Sequence, residues 1–238
     1  MTTITERLQA VKASIDAAAI ANGRDPDTVQ LLAVSKAHPA EKIREAHAAG
    51  QRLYGENYLQ EALDKQAQLT DLDIEWHFIG PVQSNKTQPI AQHFAWVHGV
   101  ERIKIAERLN AARPENMQPL QVCIQVNVSG ENTKSGIPAE EVIPLAEAIT
   151  QLPRLRLRGL MSIPAPVSDA ALQREQFRLV REAFKQLRQQ LPDATHIDTL
   201  SIGMSEDYPA AIAEGATIVR IGSAIFGARP VKPKEQAS

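Results

Sequence analysis

A lysine directly follows an apolar run near the start of the chain. Lys36 comes after the run LLAVS at 31–35, which is typical of a buried strand. A lysine amine that is desolvated, or that lies near another cation, has a lowered pKa and attacks carbonyl carbons to form a Schiff base. The alternative is a lysine at a strand end whose ammonium group reaches water.

Two short loops near the other end of the chain are rich in glycine and serine. The loop SIGMS at 201–205 follows one apolar run, and Gly222-Ser223 follows the last one. Backbone N–H groups and hydroxyls in such loops bind phosphate, above all where a helix begins. Ser201, Gly222 and Ser223 therefore predict one phosphate cup, although each glycine-serine pair taken alone is also typical of a plain turn or helix cap.

An arginine lies inside the last apolar run. Arg220 alternates with Val219 and Ile221, so its side chain points away from theirs. A charged side chain inside a folded core needs a partner, which is either an internal carboxylate or an acceptor on a ligand. A reactive lysine, a phosphate cup and an interior arginine are the three contacts that a pyridoxal phosphate ring would use.

The elements that must position these residues alternate along the chain. An amphipathic helix at 3–20 comes first. Eight apolar runs then predict buried strands at 31–35, 52–54, 75–79, 96–97, 121–127, 157–161, 196–200 and 217–221. Helical patterns separate them near 40–49, 57–68, 84–92, 101–112, 139–151, 169–190 and 206–214.

This alternation, without a flexible linker or an internal repeat, favours an α/β fold: a single (β/α)8 barrel over 1–230 with an extra N-terminal helix, followed by a disordered tail at 231–238. An open, doubly wound sheet is the alternative, but the glycine fingerprint of dinucleotide-binding sheets is absent after the first strand. Barrel chemistry occurs at the C-terminal ends of the strands, where Lys36 and Gly222 are expected.

The composition of the chain disfavours several classes of partner. The 238 residues carry 26 Lys and Arg against 28 Asp and Glu, so no basic field for nucleic acid or for acidic membranes is expected. Cys123 is the single cysteine and has no metal-ligand spacing around it, which predicts a reducing compartment and no metal site. No signal-like start and no run of roughly 20 apolar residues is present, so we expect a cytoplasmic protein.

Several motifs together resemble one known family. They are LLAVSK at 31–36, YGEN at 54–57, HFIGPVQSNK at 77–86, GLMSI at 159–163, LSIGMS at 200–205 and VRIG at 219–222. In order and type they resemble the pyridoxal phosphate homeostasis protein family, which is similar to the barrel half of alanine racemase, a fold type III pyridoxal phosphate protein. The resemblance extends from about residue 30 to 227.

The resemblance implies a role for seven residues in binding pyridoxal 5′-phosphate: Lys36, Asn57, Ser201, Met204, Arg220, Gly222 and Ser223. Lys36 would hold the cofactor as an internal aldimine. Ser201 and the Gly222-Ser223 backbone would bind its phosphate, and Arg220 would face the pyridine nitrogen. Asn57 and Met204 would line the ring pocket.

Some positions depart from the family or remain open. Val82 replaces the usual Leu, and Gly99 stands where Ser is common. Ser84-Asn85-Lys86 predicts a capped helix start rather than a cofactor contact. His77 is expected either in the core or near the pocket. The loop 130–136 is expected to be either a mobile flap or an ordinary solvated loop.

Three functions compete once the cofactor is granted. Arg220 donates and never accepts, so it leaves the pyridine nitrogen unprotonated and weakens the ring as an electron sink. A racemase also needs a second acid or base on the opposite face of the ring, and with the chain ending at 238 we expect neither that group nor the β-domain that supports it. We therefore favour a monomeric carrier that transiently contacts apo-enzymes. A lysine-dependent aldolase acting on a phosphorylated sugar would leave Arg220 without a role.

Overall fold

Eight parallel strands pair in the order of the sequence, and the last strand pairs with the first. The computed structural model describes residues 2–128, 135–165, 169–191 and 193–228. The strands are β1 Gln30–Val34, β2 Leu53–Glu56, β3 Glu75–Phe78, β4 Trp96–Val100, β5 Leu120–Gln125, β6 Leu155–Met161, β7 Thr199–Ser201 and β8 Ile218–Ile221. Because β8 pairs with β1, the sheet is a closed barrel. The predicted (β/α)8 fold is confirmed, and the open sheet is excluded.

Helices follow the strands around the outside of this barrel. They are α1 Ile4–Ala21, α2 Ala40–Ala48, α3 Leu59–Gln68, α4 Thr87–His93, α5 Ile103–Ala112, α6 Val142–Thr150, α7 Ala170–Gln190, α8 Tyr208–Ala213 and α9 Ser223–Phe226. The motif Ser84–Lys86 forms a 3-10 turn before α4, without a side-chain cap. None of the helices in the described part of the chain is long and apolar enough to cross a membrane.

The first helix is the expected extra element and packs on the helices outside the barrel. Thr3 and Glu6 form a reciprocal capping box that satisfies free N–H groups at its start. Its buried side chains recur every three or four residues, which places them on one face: Ile4, Leu8, Val11, Ile15 and Ala19. Helix α1 packs on α2, α8 and α9, and Arg7 Nε donates to the carbonyl of Ile225 at 2.7 Å. This bond fixes the short helix that follows β8.

Alternation along the strands separates two regions of the core. Leu31 and Ala33 belong to the large apolar cluster between the barrel and its helices. Leu32 and Val34 point the other way, into the barrel, where they join a small cluster with Ile79 and Ile218. Polar residues also occupy the barrel interior and are buried there: His77, His98, Ser201 and Arg220. The interior is therefore an unusually polar space for a barrel filled by side chains.

The structure shifts several predicted boundaries. Strand β2 begins one residue later than predicted and continues to Glu56, and β4 continues to Val100 rather than ending at Val97. Strand β7 covers only Thr199–Ser201, because Ile197 N–H bonds to the carbonyl of Ala194 in a turn. The predicted tail at 231–238 and the domain boundary at 230 lie outside the described residues and stay predictions.

The contact between β6 and β7 depends on a glycine. Gly159 has φ +151° and pairs with Thr199, and a Cβ added there would lie 1.9 Å from the Thr199 carbonyl oxygen. Gly159→Ala should lower the free energy of unfolding by more than the roughly 0.5–3 kcal/mol of ordinary substitutions. Gly23→Ala, at φ +67° with no atom within 4 Å, should cost only about 1–2 kcal/mol. Urea unfolding measures both; equal losses would contradict this account of the β6–β7 contact.

Candidate functional site

One large cavity opens at the C-terminal ends of the strands and has a volume of about 750 Å³. Six of the seven predicted site residues line it, namely Lys36, Asn57, Met204, Arg220, Gly222 and Ser223. Ser201 is the exception. The structure thus brings together residues from both ends of the sequence around a single space.

Lys36 reaches this cavity from a strained turn. It follows β1, and the next residue, Ala37, has φ +62° although it is not glycine. A left-handed conformation costs a residue with a side chain about 1–2 kcal/mol, so neighbouring contacts must hold it. The Ala37 N–H donates to Glu61 Oε1 at 2.6 Å. This bond holds the backbone on the C-terminal side of Lys36.

A buried ammonium group holds the backbone on the N-terminal side of Lys36. Lys65 Nζ, on α3, donates to the Ser35 carbonyl at 2.8 Å, to Glu56 Oε1 at 2.7 Å and to Glu61 Oε1 at 2.6 Å. Ser35 Oγ donates to the same Glu56 oxygen at 2.6 Å. We call Ser35, Glu56, Glu61 and Lys65 the Lys65 cluster. It lies between the barrel and α3, behind the strand end that presents Lys36.

Burial shapes the charges of this cluster. Desolvation raises the pKa of Glu56, and the adjacent Lys65 ammonium opposes the rise. Glu56 Oε2 is buried and has no hydrogen-bond partner among the described residues. The carboxylate of Glu56 therefore depends on Lys65 for its charge compensation.

Arg220 lies at the inner end of the cavity and is 4% exposed. Its Nη1 donates to the carbonyl and the hydroxyl of Ser201, at 2.6 and 2.8 Å, and its Nη2 donates to the Ser162 carbonyl at 2.9 Å. The Nε–H takes part in none of these bonds. No carboxylate of the described residues forms a salt bridge with Arg220, so the internal ion pair left open by the sequence is absent from that part of the chain.

The charge of this guanidinium persists despite its burial. Desolvation lowers the pKa of Arg220 to about 10, which still leaves it a cation at neutral pH. Asp207 opposes this desolvation as a nearby charge, without a salt bridge to Arg220 among the described residues. A buried guanidinium can donate to a ligand and cannot accept from one.

Ser201 does not lie where the sequence predicted. Its side chain points into the barrel, where Oγ accepts from Arg220 and lies 2.9 Å from His98 Nδ1. The residue is fully buried and is absent from the cavity lining. The reason is strand alternation: Leu200 faces the helices, so Ser201 faces the interior below the loop. Its place at the cavity is taken by Ser205, four residues later.

Two hydroxyls lie close together in the loops that follow β7 and β8. Ser223 Oγ and Ser205 Oγ lie 3.5 Å apart. Gly222 permits a close approach to β1, since a Cβ there would lie 2.9 Å from the Val34 carbonyl oxygen. Asp207 Oδ1 accepts from the Met204 N–H at 2.5 Å and fixes the loop after β7. Paired hydroxyls beside the free N–H groups of a helix start can bind an anion.

The far wall was not predicted from the sequence. Gln125 and Ser135 line the cavity beyond β5, which faces β1 across the eight-stranded ring, and Gln173, Gln176 and Phe177 line it from α7. Gln176 Oε1 and Asn57 Oδ1 are buried acceptors without a partner among the described residues. No sequence signal separates these glutamines from other polar residues of an amphipathic helix. Residues 130–134 of the predicted flap lie outside the described residues.

Comparison of the sequence with known proteins identifies the family of this chain. A family model described as the alanine racemase N-terminal domain matches residues 7–230. The pyridoxal phosphate homeostasis protein of Pseudomonas aeruginosa is 60% identical over 229 residues, which cover 96% of this chain and 97% of that protein.

Solved structures show the same fold. PipY of Synechococcus elongatus is 40% identical, and this chain covers 100% of it; the TM-score is 0.85 to PipY without PLP and 0.83 to PipY with PLP bound. In both cases 94% of this chain is covered. Alanine racemase of Corynebacterium glutamicum has a TM-score of 0.63 at 18% identity, with 96% of this chain and 63% of the racemase covered. That last likeness shows the fold alone.

The Lys65 cluster predicts a large and pH-dependent stability effect. Lys65→Met leaves the buried Glu56 carboxylate uncompensated and should lower the free energy of unfolding by about 3–5 kcal/mol at pH 8. Burial raises the pKa of Glu56 in the folded state, so the folded variant binds the extra proton and the loss should shrink as the pH falls toward 5. Urea unfolding at both pH values measures this.

Two controls sharpen that test. Adding Glu56→Gln to Lys65→Met should remove the pH dependence of the loss. Lys185→Met, at a lysine whose side chain is 55% exposed and paired with Glu182, should cost less than about 1 kcal/mol. Equal losses for the two lysine variants would contradict the role given to Lys65.

Proposed function

This chain belongs to the pyridoxal phosphate homeostasis protein family, and from that premise we propose that it binds pyridoxal 5′-phosphate through Lys36 and holds it as an intracellular carrier. One observation carries the proposal: a lysine, a buried cation and a pair of hydroxyls converge on a single cavity of about 750 Å³. The 40% identical PipY, solved with PLP bound, supports it.

The described residues fit this cofactor. Bound pyridoxal phosphate supplies an aldehyde that condenses with an amine, and a ring nitrogen that accepts a hydrogen bond. Lys36 brings an amine to the cavity on a turn whose two sides are fixed by the Lys65 cluster. Asn57 Oδ1 is a buried acceptor without a partner among the described residues, so a polar hydrogen of the ligand would satisfy it. Met204 lines the same space as an apolar contact for the ring.

Arg220 determines the chemistry at the ring nitrogen. Its Nη1 and Nη2 groups are engaged by serines, which leaves the Nε–H for a ligand acceptor in the cavity. Because a guanidinium only donates, the nitrogen it contacts stays unprotonated. An unprotonated ring is a weak electron sink, which favours holding the cofactor over using it.

The phosphate would lie between Ser205, Gly222 and Ser223. These three residues line one cavity, where the two hydroxyls lie 3.5 Å apart. Helix α9 is anchored at its other end by Arg7 and Lys42, which donate to the carbonyls of Ile225 and Phe226. This assignment keeps Gly222 and Ser223 from the sequence prediction. It replaces Ser201 by Ser205, because Ser201 is bonded inside the barrel.

The far wall of the cavity favours a carrier over a racemase. A racemase needs acids or bases on both faces of the ring. Beyond β5, across from Lys36, the described lining residues are the neutral Gln125 and Ser135, and α7 adds Gln173 and Gln176. Besides Lys36 and Arg220, the titratable residues of the described lining follow β1 and β7, away from that wall: His38, Glu206 and Asp207. The likeness to alanine racemase is 18% in sequence and concerns the fold. The relatives that this chain matches at high identity are named homeostasis proteins.

We place this carrier in the cytoplasm as a monomer that contacts pyridoxal phosphate-dependent apo-enzymes transiently. The buried free thiol of Cys123 suits a reducing compartment. Large apolar side chains exposed in the described residues are scattered over several elements rather than gathered in one patch, which suits a chain without a permanent partner. Sedimentation at micromolar concentration tests the monomer.

The covalent link should form at Lys36. Incubation with pyridoxal phosphate, borohydride reduction and peptide mapping should place the pyridoxyl group on Lys36, and Lys36→Ala should abolish the absorbance band of the bound cofactor. Lys86→Ala, at an exposed lysine after β3, should leave both unchanged. Modification chiefly at another lysine would contradict the assignment.

The phosphate cup should dominate noncovalent affinity. Hydrogen bonds to a charged group contribute about 1.5–3 kcal/mol each, so pyridoxal should bind at least about tenfold more weakly than its phosphate. Ser223→Ala should reduce that ratio, and Gly222→Asp should reduce it further than Gly222→Asn, which has the same bulk without the charge. Ser201→Ala should change the affinity for both ligands alike. Titration of each variant with both ligands decides this; a ratio near one in the wild type would place the phosphate elsewhere.

Turnover of amino acids should be slow. The unprotonated ring and the neutral far wall predict Cα–H exchange with deuterated water, for L- and D-alanine and for serine, far below about 1 s⁻¹. Proton NMR of the amino acids measures the rate. Exchange within the ordinary enzymatic range of about 1–10³ s⁻¹ would favour a racemase.

A further inference from the structure

A continuous line of hydrogen bonds crosses the barrel interior beneath the cavity. Arg220 Nη1 lies 2.8 Å from Ser201 Oγ, which lies 2.9 Å from His98 Nδ1. His98 Nε2 lies 2.9 Å from His77 Nδ1, and His77 Nε2 lies 3.0 Å from Glu75 Oε1. We call these five residues the interior chain. It connects the inner end of the cavity with the opposite end of the barrel, where β3 begins.

The interior chain is buried along most of its length and reaches solvent at its Glu75 end. Ser201, His98 and His77 are fully buried, whereas the Glu75 side chain is 46% exposed. The Trp96 ring stacks on His77 at 5.2 Å between centroids, and the Arg158 guanidinium lies 4.7 Å from the Trp96 centroid.

The charged groups near the exposed end are few. Arg158 is paired with Asp198 at 2.7 Å, and it acts on Glu75 only as a nearby charge. Cys123 faces the same interior, and burial raises the pKa of its thiol to about 12, so it is neutral. Among the described residues, the carboxylate bonded to the histidines is therefore that of Glu75.

The two ends of the interior chain dictate the direction of every bond. The bond from His77 keeps the pKa of Glu75 low, so its carboxylate is ionised and only accepts. Burial lowers the pKa of both histidines, so each is neutral with one N–H. His77 must then donate through Nε2 to Glu75 and accept at Nδ1 from His98.

The same logic continues to the cavity. His98, having donated through Nε2, accepts at Nδ1, so the Ser201 hydroxyl donates to it and accepts from Arg220. All four bonds point the same way, from a group that only donates to a group that only accepts. Aligned bonds of this kind polarise and strengthen one another in a low-dielectric interior.

We propose that Ser201, His98, His77 and Glu75 are positioning residues that aim the Arg220 Nε–H at the ring nitrogen of the bound cofactor. The proposal rests on the proposed function and adds how the arginine is held. A guanidinium is planar, so fixing Nη1 and Nη2 also fixes the direction of Nε–H.

The interior chain keeps the Glu75 carboxylate away from Arg220. A carboxylate directly beside Arg220 would compete with the ligand for the guanidinium N–H groups. The Glu75 carboxylate is four hydrogen bonds away, so it orders the interior chain without occupying Nε–H. The nearby charge that favours the Arg220 cation is that of Asp207, which forms no salt bridge with it among the described residues.

A pair of ligands isolates the contact in question. Pyridoxal phosphate and its deaza analogue, which has a ring C–H in place of the nitrogen, share the aldehyde and the phosphate and differ only where Arg220 acts. The wild type should bind pyridoxal phosphate at least tenfold more tightly than the analogue. In His98→Phe, which keeps an aromatic ring and removes the bonds, that ratio should fall at least fivefold.

Rescue separates positioning from packing. His98→Gln can accept from Ser201 and donate to His77, so it should restore the ratio to within twofold of the wild type and return the absorbance maximum of the bound cofactor to its wild-type value. An unchanged ratio in His98→Phe with pyridoxal phosphate still bound would overturn the proposal.

The exposed end offers a test that does not disturb the core. Glu75→Gln should lower the ratio at least twofold, whereas Glu115→Gln, at a carboxylate that pairs with Arg154 outside the interior chain, should leave it unchanged. Equal ratios in these two variants would also overturn the proposal. If the wild type bound neither ligand, the proposed function itself would fail; if it bound both and no variant moved the ratio, only the positioning role would fail.

Discussion

The site depends on a guanidinium buried in the middle of a barrel. Removing a charge from water is costly unless polar groups replace the water, and here Ser162 and Ser201 supply those groups to Arg220. Both serines lie at or just beyond the ends of strands that precede β8, and the closed pairing order brings them beside it. Polar groups of the barrel interior therefore replace water around one cation that lines the cavity.

Three separate supports hold the three contact points of the cavity. Arg220 is held by bonds inside the barrel. Lys36 is held from outside, where the Lys65 cluster fixes the carbonyl before it and the N–H after it. The end of the cavity where we propose the phosphate is held by α1 and α2, through the bonds of Arg7 and Lys42 to the end of α9. Because these supports do not share residues, each contact can be altered without dismantling the others, and a preorganised site of this kind suits the retention of a ligand.

The sequence predicts the architecture well because its signals are periodic. Alternating apolar runs and amphipathic stretches indicate the barrel, and strand alternation places Arg220 inside it. The same alternation also places Ser201 inside, but the short β7 was predicted at 196–200, and that register put Ser201 in the loop. The Lys65 cluster and the glutamines of α7 were not predictable, because a lysine or glutamine on an amphipathic helix resembles any solvent-facing residue until the neighbouring strand is in place. His77 was left undecided, since its role depends on His98, 21 residues away.

The central claim is that this barrel holds pyridoxal phosphate with its ring nitrogen accepting a hydrogen bond from Arg220. The most direct measurement is the ¹⁵N NMR chemical shift of pyridoxal phosphate labelled at the ring nitrogen and bound to the protein at neutral pH. In the wild type we expect the shift of an unprotonated pyridine nitrogen that accepts a hydrogen bond, and in Arg220→Met a shift closer to that of an unprotonated nitrogen without a hydrogen bond. A pyridinium shift in the wild type would contradict it.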